Sequence, residues 1–120
     1  MKSAEEIVAE LKKFSGSGVL YKHWLNIQYT EGIKHLAETT QSFWLIDAIA
    51  SHQTQQLLSN PYLQELQIWR LIVQEKSGIL ICEWDTDKEV LRQDIPYTNF
   101  PLPTIKLYLA QKVLMLPNEY

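Results

Sequence analysis

The stretch LQIWRLIVQEKSGILICEWDTDKEVLRQDI, residues 66–95, decides the fold class. Residues 66–75 are rich in Ile, Leu, Val and Trp, side chains that suit a pleated, half-buried surface. Lys76-Ser77-Gly78 turns the chain and 79–85 returns; Thr86-Asp87-Lys88 turns it again and 89–95 makes a third strand. Three strands on two tight turns predict an antiparallel meander.

Downstream of the meander, Pro96 and the FPLP segment at 100–103 are short of ladder donors and read as a connector. Residues 104–109 and 113–116 then suit a last hairpin about Gln111-Lys112, with a single helix capped by Thr104 as the alternative. Upstream, Phe43-Trp-Leu-Ile-Asp-Ala-Ile-Ala50 predicts a buried helix with Ser42 as N-cap. Leu57 and Leu58 either extend it or start a second short helix, and Ser59-Asn60-Pro61 closes this part of the chain. Earlier still, Tyr21, His23, Leu25, Ile27 and Tyr29 alternate with Lys22, Asn26 and Gln28, the period of a half-buried strand; only Trp24 breaks the polar side. Thr30-Glu31-Gly32 reads as a hairpin loop and 33–37 as the return strand, against a competing helix starting near Glu31.

The chain opens with a helix. Ser3 and Glu6 have capping-box spacing, Ala4, Ile7, Val8, Leu11 and Phe14 share one face, and Ser15-Gly16-Ser17-Gly18 stops the run. The expected architecture is therefore one α+β domain over residues 1–120. It holds an N-terminal helix, a hairpin, an apolar helix, a three-stranded meander and a C-terminal hairpin on a mostly antiparallel sheet.

Composition narrows the function. The net charge is −3, and the 11 Lys and Arg are scattered, so no phosphate-neutralising face is visible and nucleic acid is disfavoured as a partner. Cys82 is the only cysteine, which rules out an intrachain disulfide and a thiolate metal site. Acids at Glu5 and Glu6 stand where a signal peptide would be apolar, and no apolar run approaches the ~20 residues that span a bilayer. A cytoplasmic, reducing setting is the simplest reading.

Reactive constellations are scarce. The four glycines match no phosphate-loop spacing. His23, His35 and His52 form no metal-ligand pair, so no metal and no cofactor is expected. Cys82 sits mid-strand as a small core residue rather than a nucleophile. Glu83, Asp85, Asp87 and Glu89 gather at a turn, where solvated acids are ordinary.

One feature remains. Asp47 is the only charge in the apolar helix, and Trp44, Asp47 and Ser51 fall on one stripe with His52 one turn beyond. A buried carboxylate there would need a partner. The stripe is either a solvent face or a pocket wall, and Trp44, Asp47, Ser51 and His52 are the candidate contact residues.

Several segments resemble a known family. Tyr21-Lys-His-Trp-Leu, Tyr29-Thr-Glu-Gly, Leu36-Ala-Glu, the WLIDAIAS of 44–51 and the ending Leu116-Pro-Asn-Glu-Tyr120 are similar to those of a bacterial family of short stand-alone proteins. That family is catalogued only as a domain of unknown function. The resemblance covers about residues 14–120 and implies a complete one-domain protein of the bacterial cytoplasm. It brings no activity, cofactor or catalytic residue. Three roles stay open: a non-catalytic interaction or regulatory module that contacts protein through Trp and Tyr, a small enzyme or ligand binder with a pocket beside Asp47, and self-association through sheet edges.

Overall fold

A computed structural model describes residues 2–16 and 18–120; Met1, and Ser17 of the expected helix stop, lie outside the described residues. The elements in chain order are α1 (Ala4–Leu11), β1 (Leu20–Lys22), β2 (Gln28–Thr30), α2 (Glu31–Thr40), α3 (Phe43–Ser51), α4 (Gln55–Leu58), α5 (Pro61–Glu65), β3 (Leu66–Gln74), β4 (Ser77–Glu83), β5 (Glu89–Ile95), β6 (Thr104–Ala110), β7 (Val113–Met115) and a closing 3-10 turn, Pro117–Glu119. The fold class is α+β, as expected.

The meander forms as β3, β4 and β5, with Trp69 opposite Cys82 and Cys82 opposite Leu91. The C-terminal hairpin also forms. β6 lies against the free side of β3 and returns as β7 through Gln111 and Lys112, both at positive φ (50° and 69°). That is the backbone twist a two-residue hairpin requires. β1 and β2 complete a seven-stranded sheet in the order β1-β2-β7-β6-β3-β4-β5, and β2 runs parallel to β7. This long-range parallel pair joins chain ends that local patterning leaves unconnected.

Two expectations fail in residues 21–37. The single strand over 21–29 is broken by a turn at Trp24-Leu25-Asn26, where Asn26 takes φ 71° and the His23 N–H donates to the Ile27 carbonyl at 2.8 Å. The return strand over 33–37 is the helix α2. Thr30 Oγ1 accepts from the Ile33 N–H at 3.3 Å and caps it, while Gly32, Ile33, Leu36 and Ala37 turn one face inward. Gly32 is therefore not a hairpin residue. A Cβ there would stand 2.5 Å from Glu119 Oε1 and 2.7 Å from Leu116 Cδ1, so glycine allows α2 to approach the C-terminus.

α1 carries the expected capping box, with Ser3 Oγ accepting from the Glu6 N–H at 3.2 Å. α3 starts after Ser42, but the Ser42 hydroxyl bonds Thr40 Oγ1 instead of capping. Leu57 and Leu58 belong to the separate helix α4, capped by Thr54. The helices pack on one sheet face. Ile7, Ile33, Leu36, Leu45 and Ile49 meet Trp69, Leu71, Leu80, Cys82 and Leu107 in one core cluster, and each fully buried large side chain contributes roughly 1.5–3 kcal/mol. The opposite face carries Arg70 and Glu83, paired at 2.9 Å. No helix among the described residues is long and apolar enough to cross a membrane.

Candidate functional site

The stripe on α3 does not act as one unit. Trp44 is half-buried and lines a concavity of about 440 Å³ with Gln41, Tyr97 and Phe100. Asp47 is 59% exposed. Ser51 is exposed and donates to the Ala48 carbonyl at 2.7 Å. His52 turns away, stacking on Trp69 at 5.8 Å and bonding Gln93 Oε1 at 2.6 Å. Asp47 and His52 do not meet.

The partner of Asp47 is His23, with Nε2 to Oδ1 at 2.6 Å. His23 Nδ1 accepts from the Leu25 N–H at 3.1 Å, which places the proton of the neutral ring on Nε2, facing Asp47. Both ring nitrogens are thus engaged, and the His23 side chain is only 7% exposed. The pair leaves no free base. It pins the β1–β2 turn to α3, and the Trp24 ring, stacked on His23 at 5.8 Å, stays 81% exposed above that anchor.

Directly after Trp24 the chain enters the wall of a concavity of about 560 Å³. Leu25, Ile27, Leu58, Leu63 and Leu109 make its apolar lining, and Lys112 is the one charged side chain among the described residues that line it. Its floor holds a polar network. Gln67 sits in the inward register of β3 with Trp69 and is 2% exposed. Its Oε1 accepts from Gln53 Nε2 at 2.9 Å and Trp69 Nε1 at 2.8 Å, and its Nε2 donates to Gln53 Oε1 at 2.7 Å and the Leu63 carbonyl at 3.0 Å. Every donor and acceptor of that amide is used, so the network rigidifies the floor without an unpaired group. On the rim, Asn26, Gln111 and Lys112 hold positive φ without being glycine.

The sequence signal for this floor was a glutamine in phase with Trp69 and Leu71 on an otherwise apolar strand face. Gln53 has no signal of its own, since its partner is 14 residues away. Elsewhere, Cys82 is buried and its thiol is pushed up to about 12, chiefly by desolvation and further by Glu83, which leaves it inert as a nucleophile. Among the described residues no group of three or more His, Cys, Asp and Glu is placed to hold a metal ion.

A family model described as a family of unknown function (DUF6876) matches residues 5–120, and the chain belongs to that family. No curated protein and no solved structure matches the chain.

Proposed function

For this member of a family of unknown function, we propose a non-catalytic protein-interaction module whose contact surface is Trp24 together with the concavity behind it. The observation that carries the reading is Trp24 itself, 81% exposed yet fixed at its base by His23 and Asp47. A large ring held rigidly in solvent loses little entropy on binding, and tryptophan is the residue most enriched at binding hot spots. The leucine-lined hollow beside it accepts an apolar side chain, and Lys112 favours an acidic neighbour in the same segment. The lone buried Cys82 and the family resemblance support a working place in the bacterial cytoplasm.

Peptide display against the purified protein tests this. The expected winners combine an apolar anchor with an acidic residue. Trp24→Ala should weaken them by about thirtyfold or more, the scale of a hot-spot residue, and Lys112→Glu should weaken the acidic ones selectively. Winners that bind the Trp24→Ala protein as tightly as the wild type would overturn the proposal.

A further inference from the structure

β6 pairs with β3 along its whole length, but only Tyr108, Leu109 and Ala110 pair with β7. Hydrogen-bonding direction alternates along an antiparallel strand. The Val73 N–H donates to the Pro103 carbonyl at 2.8 Å, so the odd-numbered residues of this segment face β3 and the even-numbered ones face the line of β7. Tyr108 and Ala110 meet Met115 and Val113 there. Thr104 and Lys106 direct their N–H and C=O into space that β7 has left. Pro117 explains the departure. It falls opposite Lys106 in the continued register, has no N–H to donate, and begins the 3-10 turn.

A concavity of about 430 Å³ lies in this gap, and a second of about 560 Å³ adjoins it through Val8, Lys12, Leu102 and Thr104. The gap has two chemically different sides. Leu102 and Leu116 line it toward the core, and the exposed Val8 of α1 adds apolar surface at its edge. Lys106 and Arg70, directly opposite each other across β6 and β3, line it toward the outer face, with Lys12 on the flank. Arg70 is paired with Glu83, while neither Lys12 nor Lys106 has an ion-pair partner among the described residues. No carboxylate lines the first concavity, in a chain of net charge −3; Glu5 lines only the second.

The geometry points to a strand-addition site beside Thr104 and Lys106 for an extended peptide that alternates apolar and acidic residues. The peptide runs antiparallel to β6, in the line β7 abandons. Residues paired across two strands project to the same face, so an acidic residue opposite Lys106 meets its ammonium while exchanging both backbone hydrogen bonds with it. Its apolar neighbours point toward Leu102 and Leu116, with the exposed Val8 beside them. Backbone pairing supplies the affinity and the side-chain alternation supplies the selectivity. This surface does not involve Trp24, and its fate is independent of the preceding proposal.

The probe is acetyl-Val-Glu-Val-Glu-Val-amide, titrated into the 15N-labelled full chain. Expected are amide shifts at Thr104, Lys106 and Val8, slower hydrogen exchange at the Lys106 N–H, and binding at least about tenfold weaker for the Val-Lys-Val-Lys-Val peptide. N-methylation of both glutamates should abolish binding, whereas N-methylation of the central valine, whose N–H points away from β6, should spare it. Lys106→Glu should reverse the charge preference, and Trp24→Ala should leave binding unchanged. Equal binding of the two methylated peptides, shifts confined to the Trp24 concavity, or the same shifts on raising protein concentration without peptide would overturn the assignment.

Discussion

Asp47 and Glu119 are both carboxylates that join residues far apart in the chain, but they work in different surroundings. Asp47 is mostly exposed and accepts one hydrogen bond, from His23. Glu119 is half-buried and its Oε1 accepts two, from Thr30 Oγ1 at 2.7 Å and the Leu116 N–H at 3.0 Å. Thr30 is also the N-cap of α2, so Glu119 orients the hydroxyl that starts a core helix. Next to it, the Asn118 amide donates to the Leu11 carbonyl, which also accepts the Phe14 N–H, and to the Phe14 carbonyl just beyond α1. The C-terminal LPNEY thus ties both α1 and α2 to the sheet, whereas the Asp47 clasp holds only an exposed turn. Partial burial turns one carboxylate into a structural tie; exposure leaves the other to position a surface feature.

The contrast yields an ordered set of tests. The largest effect is expected at Glu119. Glu119→Ala leaves the Thr30 hydroxyl and the Leu116 N–H without their acceptor, and urea unfolding should show a loss of about 2–3 kcal/mol. Gly32→Ala should cost about 1–3 kcal/mol, because its methyl occupies the space of Glu119 Oε1 and Leu116 Cδ1. The two should be less than additive together, since the first removes the Glu119 atoms that the second meets, leaving only Leu116 Cδ1. Full additivity would mean that the contact at Gly32 is not what limits that position.

Asp47→Asn should cost less than about 1 kcal/mol, as exposed pairs do. Its signature lies elsewhere, in a looser Trp24. Fluorescence anisotropy and acrylamide quenching should report faster ring motion, and an unchanged Trp24 signal would show that the clasp does not set its mobility. The smallest expected effect is at Glu10. Lys2 first, and His35 second, hold its carboxyl below the ordinary glutamate range through hydrogen bonds at 2.7 and 2.6 Å. A lowered folded-state pKa stabilises above the unfolded value and is lost as pH falls through the folded one. Acidification from neutral to about pH 3 should therefore destabilise the wild type slightly more than Glu10→Gln, read as the difference in urea midpoints.

These sites differ in how far the sequence revealed them. Ser3 and Glu6 announced α1, and the β-favouring composition of 66–75 with the turns at 76–78 and 86–88 announced β3 to β5, because each signal and its partner lie within a few residues. Residues 33–37 carried a pattern that strand and helix share, and Thr30 settled it by capping Ile33. Asp47 stood out as the one charge in an apolar helix, but its partner His23 is 24 residues upstream, while His52, poorly spaced for contact with Asp47, bonds Gln93. Gln67 passed unnoticed because a glutamine in a strand looks like a surface residue until its register is known.

By itself the sequence determined the α+β class, the capped first helix, the apolar third helix, the meander and the last hairpin, because periodicity and turn chemistry act over short spans. Tertiary structure alone decided the parallel pairing of β2 with β7, the Gln53–Gln67 floor, the two carboxylate clasps and the unpaired stretch of β6. Each joins groups that share no local spacing, so its energy exists only once the core has brought the segments together. For Asp47, whose stripe the helix pattern left as either a solvent face or a pocket wall, that placed an exposed anchor beneath Trp24.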